Sequence, residues 1–227
     1  MQQTQATRIL DHKETYPLSQ PKFLKLVANF LSYVFHPLFI SVYVAIYLIY
    51  FYPYAFARYD HKQKLLTLAF VFSITVFFPA LTIFLLWRLK FASSIYLRTQ
   101  KERIIPYVAS ITYFFWAFYV SRNMPGSPQI MTFFFLGTFL AASAALMANN
   151  YFKISMHAIG VSGAATFMIL LGVVSGEPIS IPIAIATLIA GIVCSARLIV
   201  SDHHPYEIYW GLIIGTLCQL IACYFIM

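Results

Sequence analysis

Seven stretches of this chain carry no Asp, Glu, Lys or Arg at all: residues 26–57, 65–87, 104–121, 128–152, 157–175, 179–196 and 208–227. A run of about 18 or more apolar residues is the length a helix needs to cross the hydrocarbon core of a bilayer. Each run is continuously apolar, whereas a barrel strand would alternate apolar and polar over about ten residues, so the spans read as helices. The expected fold is all-α: a polytopic transmembrane bundle of six to seven spans. Composition agrees, because only 10% of the residues are charged and 61% are hydrophobic. Soluble domains carry about 25% charge, and this chain lacks the polar groups to cover a water-facing surface.

Turn chemistry falls between the runs. Asn123-Met-Pro-Gly-Ser-Pro128 separates the third from the fourth, and Ser175-Gly-Glu-Pro178 the fifth from the sixth. The first run is longer than one crossing needs and contains His36-Pro37, which suits an interfacial helix leading into a span; Pro79 is placed to kink the second. Residues 1–25 are polar and mixed in charge, without the apolar core of a signal peptide, and read as a short tail before a single domain at 26–227. Cys194, Cys218 and Cys223 lie inside apolar runs with no metal-ligand spacing and read as small core residues.

A net charge of +8 would ordinarily suggest nucleic acid, but here the basic residues sit at the ends of apolar runs, where topology and anionic headgroups account for them. Tyrosines and tryptophans gather at span ends, as an interfacial belt does, and lack the interleaved basic residues of a stacking platform. The expected partners are membrane lipids, not nucleic acid.

Ionisable groups at membrane depth are costly, so their placement is informative. Three polar clusters remain once ordinary loops are set aside: Arg98 to Pro106, Lys153 to His157, and Ser195 to Glu207. Two spans separate the first from the second, and two more the second from the third. Each pair of crossings returns the chain to the same face, so all three clusters can form one site there. Arginines and lysines without a matching excess of acids suit an oxyanion, and the planar guanidinium fork matches phosphate oxygens. Ser155 and His157 stand where the fifth span begins, so that helix's unpaired N–H groups would point into the same pocket. If residues 203–207 form the first turn of the last span, His203 and Glu207 share a face, and the carboxylate could orient the imidazole as a nucleophile. Taken singly, Arg98, Lys101, Arg103, Lys153 and Arg197 also fit span-end charges, and His36 fits a packing or interfacial histidine. His157, His203, His204 and Glu207 could instead hold zinc, against which the crowd of basic residues would repel a dication.

The third cluster, Ser195 and Arg197 followed by five residues, His203, three residues and Glu207, resembles the third signature of the type 2 phosphatidic-acid phosphatase superfamily, the membrane lipid phosphate phosphatases related to vanadium haloperoxidases. That signature usually ends in Asp, where this chain has Glu207. The second signature, Pro-Ser-Gly-His, is kept as Ser155 and His157 without its proline and glycine. The first, Lys, six residues, then Arg-Pro, is matched only in character by Arg98, Lys101, Arg103 and Pro106, which leaves open which basic residue fills which role.

The resemblance implies hydrolysis of a lipid phosphomonoester or diphosphate, without metal or other cofactor, through a phosphohistidine. His203 would attack phosphorus, Glu207 orient it, and His157 protonate the leaving alkoxide and later activate water. Arg98, Lys101, Arg103, Ser155 and Arg197 would neutralise the phosphoryl oxygens. His203 takes precedence over His204 by its spacing from Arg197 and Glu207. Substrates of the implied class include phosphatidic acid, phosphatidylglycerophosphate and polyprenyl diphosphates. The altered signatures also admit a non-catalytic lipid-binding or scaffold protein of the same fold; a small transporter is opposed by the lack of paired acids and bases through the span centres.

With seven spans the site face carries eleven Lys and Arg against four on the other (Arg58, Lys62, Lys64, Arg122), a cytoplasmic bias. Without the five suspected site residues the difference is six against four, and a six-span count inverts the orientation. The resemblance implies a bacterial inner membrane, where relatives commonly act on the outer face.

Overall fold

The structure is a computed structural model that describes residues 21–93, 100–200 and 204–227. Every element among them is helical. In chain order they are α1 (Lys22–Val34), α2 (Pro37–Ile46) continued by a π-helical turn (Tyr47–Phe51), and α3 (His61–Phe72), joined through a second π turn (Ser73–Phe77) to α4 (Phe78–Arg88). There follow α5 (Gln100–Asn123), α6 (Gln129–Asn149), α7 (Met156–Ser175), α8 (Ser180–Val200) and α9 (Pro205–Ile226). Six units are long and apolar enough to cross a membrane: α3 with α4 as one rod, and α5, α6, α7, α8 and α9. The pair α1 and α2 passes the same test together but is bent by 59°, giving up to seven spans and a fold compatible with an integral membrane protein.

Proline explains the irregular places. Pro37 has no N–H to continue α1, and His36 before it is held extended (φ −62°, ψ 139°), so the long first stretch breaks there. Each π turn likewise precedes a proline. Tyr52 donates its N–H to the Tyr47 carbonyl just ahead of Pro53, and Phe78 donates to Ser73 just ahead of Pro79. The rod α3–α4 therefore carries its irregularity as a change of hydrogen-bond register.

α7 packs closely on α9, with α6 against α9 on the other flank. A Cβ on Gly211 would lie 2.8 Å from the Ala158 Cβ and 2.9 Å from the Ser155 carbonyl, and one on Gly215 would collide with the Ser162 hydroxyl and the Ile159 carbonyl. Two glycines four apart thus let the backbones approach, as small residues do where helices pack without a hydrophobic drive between them. Thr166 and Thr216 add a hydroxyl bond of 3.1 Å across the same seam. The Cβ that Gly137 lacks would collide with the Gln219 side chain, so a glycine on α6 makes room for a buried polar group on α9.

The termini of these helices sort onto two faces. On one lie the loop after the first π turn and the α7–α8 loop, where the Glu177 carboxylate beside the Tyr54 hydroxyl holds that phenol above its ordinary range. On the other lie the α1–α2 break, the starts of α5, α7 and α9, and the end of α8. The described parts of the three polar clusters share that second face, as the count of crossings requires.

Candidate functional site

Ser155 is the N-cap of α7: it is fully buried, and its hydroxyl accepts the Ala158 N–H at 3.4 Å. Its own N–H donates to the Glu207 carbonyl at 3.4 Å, which ties the start of α7 to the first turn of α9. The positive end of α7 therefore lies beside the first turn of α9.

A shared helix face for His203 and Glu207 was expected on the condition that residues 203–207 are helical; α9 begins at Pro205, with His204 extended at the N-cap (φ −75°, ψ 152°). Proline is suited to the first helical position and disfavours helix in the residue before it, which sets that start. The buried Glu207 carboxylate reaches back and accepts the His204 N–H at 3.0 Å. It steadies the backbone next to His203. His203 itself lies outside the described residues, as does Arg98.

His157 and Arg197 meet at a residue the sequence reading passed over. The His157 Nε2 lies 3.0 Å from the Ser32 carbonyl, and an Arg197 Nη1 lies 3.4 Å from the Ser32 hydroxyl. A carbonyl can only accept, so Nε2 carries the hydrogen in this arrangement. The Ser32 hydroxyl in turn donates to Ala28 at 2.9 Å. The His36 ring stands edge-on to His157 with centroids 5.4 Å apart. Arg197 is 8% exposed, so its charge depends on partners such as Ser32 within the protein.

The break in α1 explains why Ser32 is there. A helix end leaves its last carbonyls without intrahelical donors. Here Leu31 receives the Phe35 N–H, Ser32 receives His157, Tyr33 receives the His36 N–H, and Val34 receives the Tyr43 hydroxyl at 2.7 Å. His157 is thus a cap for α1 as well as the first-turn residue of α7. The over-long first stretch with His36-Pro37 was the signal for a break, but not for which far residue would serve it.

From the first cluster, Lys101 is exposed and Arg103 half-buried in the first turn of α5. The Arg103 guanidinium lies near the Tyr107 phenol one turn on. Tyr107 is buried with Ile154 and Ile159, which sets the start of α5 against the start of α7. Glu102 accepts both the N–H and the hydroxyl of Ser93, tying Ser93 to the first turn of α5. The structure thus brings Ser155, His157, Arg197 and Glu207 to one place, with Arg103 and Lys101 on the same face. Among the described residues no three His, Cys, Asp or Glu side chains lie close enough together to hold a metal ion.

No family model, curated protein or solved structure matches this chain.

Proposed function

We propose that this protein is a membrane-bound lipid phosphate phosphatase, hydrolysing a phosphomonoester or diphosphate of a lipid through a phosphohistidine on His203. One observation carries the reading: His157 Nε2 and Arg197 Nη1 converge on the two oxygens of a single residue, Ser32, beside the positive end of α7. Two donors that already meet adjacent oxygens can meet two oxygens of a phosphate that takes their place.

In the proposed reaction the His203 imidazole forms the N–P bond as the ester P–O bond breaks. The leaving alkoxide takes the proton that His157 carries on Nε2. Water then attacks the phosphohistidine, giving its proton to His157 and releasing inorganic phosphate. Arg197, Arg103, Lys101 and Arg98 offset charge on the phosphoryl oxygens, and Ser155, as the N-cap, holds the positive end of α7 beside them. Glu207 acts through the His204 backbone, as a positioning residue for the segment that carries His203. The substrates to try first are phosphatidic acid, phosphatidylglycerophosphate and polyprenyl diphosphates, with the site in a bacterial inner membrane.

Purified protein in detergent should release phosphate from at least one of these lipids in the presence of EDTA. His203→Ala should abolish release, and His157→Ala should slow it by about 100-fold or more, the scale of general acid catalysis. Release that EDTA stops, or that survives in His203→Ala, would rule out the phosphohistidine.

The same Ser32 contacts favour a second reading, in which His157 and Arg197 serve only to hold α1 on the bundle and the protein binds lipid without hydrolysing it. Saturable binding of a lipid phosphate with no release from any of the panel would select that reading.

A further inference from the structure

The face opposite the phosphate cluster carries a second group of polar and aromatic side chains, where the loop after the first π turn meets the α7–α8 loop. The Tyr54 ring stands 5.4 Å from the Tyr52 ring at 65°, and Tyr52 stands 6.2 Å from Tyr47 at 34°. The Tyr54 hydroxyl donates to the Glu177 carboxylate, with the Tyr52 phenol near enough to act on it electrostatically. Both loops are anchored, since Tyr52 and Phe56 from one and Ile179 from the other are buried in a single apolar cluster. Tyr54 itself is exposed, so the group opens outward.

Three rings and one acid have a definite ligand chemistry, because aromatic faces and a carboxylate both attract a cation. Among the described residues Glu177 meets neutral partners: the Tyr54 phenol and, through its own N–H, the Ser175 hydroxyl. One acid balances one positive charge. A divalent metal takes several carboxylate or imidazole ligands, and the described residues gather no three such side chains here. An ammonium fits the group better.

The second observation lies inward of it. Both α2 and α8 pack on α7, and the space between them stays open as an apolar cleft of about 620 Å³. Its mouth on this face is lined by Tyr47 and by Pro178, the residue after Glu177. From Phe51 the lining follows the π turn and α2 to Ile40, eleven helical steps or about 16 Å, and one leaflet of hydrocarbon is about 15 Å deep, half the usual core. The cleft is as deep as the leaflet whose headgroups reach Tyr54.

We propose that Glu177, Tyr54, Tyr52 and Tyr47 bind the ammonium headgroup of a glycerophospholipid in the leaflet opposite the phosphate cluster, with one of its acyl chains in the cleft. This site is separate from the phosphatase reading and involves no catalysis. Hydrogen bonds to the carboxylate suit a primary ammonium and ring faces a quaternary one, so ethanolamine and choline heads share the chemistry. A head without a cation meets only the negative charge of Glu177.

The test uses phosphatidylethanolamine with a photoactivatable diazirine at the end of one chain, photolysed with the full-length protein in maltoside detergent. Label should fall at the inner end of the cleft, on residues 40–44 or 161–164. Phosphatidylethanolamine or phosphatidylcholine should compete, and whichever competes better assigns the main contact to the carboxylate or to the rings. Phosphatidylglycerol and N-acetyl phosphatidylethanolamine keep the chains but lack the cation, and should compete at least tenfold more weakly. Glu177→Gln keeps a group that can pair with the Tyr54 phenol and removes the charge, so it should cut labelling about tenfold and abolish the preference for an ammonium, as loss of a charged hydrogen bond does. Tyr54→Leu removes one ring and leaves the acid, and should cut labelling less.

Equal competition by N-acetyl phosphatidylethanolamine, or label scattered around the bundle, would mean bulk lipid only and overturn the proposal. Melting in lipid-free detergent separates a binding site from a fastener between two loops. Glu177→Gln should melt with the unchanged protein there and lose only the stabilisation that added phosphatidylethanolamine gives. A variant that melts earlier without lipid and yet keeps the ammonium preference would make Glu177 and Tyr54 a loop tie, and the site would fall.

Discussion

The α7–α9 seam and the α1–α2 corner both place polar groups on the same face, but they are built in opposite ways. At the seam, backbones approach so closely that Gly211 and Gly215 have no space for a methyl group. At the corner, α1 lies along α8 with open apolar space of about 770 Å³ beside it, and Phe23, Leu26, Phe30 and Tyr33 point away from the bundle. Ser155 and Glu207 thus stand on a closely packed frame, while Ser32 and His36 stand where α1, with one face on α8 and the other turned away from the bundle, breaks into α2. A ligand that displaced Ser32 would move the lightly held part, since rigid and yielding regions divide along packing density.

The strongest way to break this contrast is at its rigid end. Gly215→Leu must push the Ile159 backbone, which has nowhere to go, so it should destabilise by about 3 kcal/mol or more, as severe overpacking does. Thermal unfolding in detergent would show the loss, or the variant would not accumulate. A melting temperature within error of the unchanged protein would mean that α7 and α9 are not the fixed frame.

A smaller effect should appear at the corner. Ser32→Ala removes the hydroxyl that receives Arg197 but keeps the carbonyl that receives His157. Losing one hydrogen bond to a charged group costs about 1.5–3 kcal/mol locally. Amide exchange should accelerate over Lys22–Val34 and stay unchanged in α7 and α9. Equal acceleration in all three would show the corner and the seam to be one cooperative unit, and would undo the distinction.

Most of this architecture was legible in the sequence, for identifiable reasons. Uncharged run length marked the helices to within a few residues, because the lack of water in a bilayer leaves a chain few other options. The break at His36-Pro37 was legible because proline acts locally. The π turns were not, since they are register changes that a hydropathy pattern does not encode. The start of α9 lies two residues later than a helical turn over 203–207 requires, because Pro205 holds His204 extended. Ser32 was missed for a different reason: it matters only as an exposed helix end, and its partners His157 and Arg197 are 125 and 165 residues away. The same-face meeting of Ser155, His157, Arg197 and Glu207 followed from parity of crossings; how they are engaged depends on partners far apart in sequence.

The smallest expected effect has the opposite sign and sharpens the contrast most cleanly. Gly191 sits on α8 where α1 crosses, and a Cβ there would meet nothing within 4 Å. Glycine in a helix interior is about 0.8–1 kcal/mol worse than alanine, because it surrenders more backbone freedom on folding. Gly191→Ala should therefore stabilise by somewhat less than 1 kcal/mol, raising the melting temperature by about 2–4 °C for a chain of this size. The same change at Gly215 would collide with Ser162 and Ile159 and lower it. Opposite signs for one substitution at two helical glycines are what a loose corner beside a locked seam demands. A loss of stability at Gly191 would mean that α1 packs on α8 as closely as α9 packs on α7, and the corner could not yield to a ligand as described.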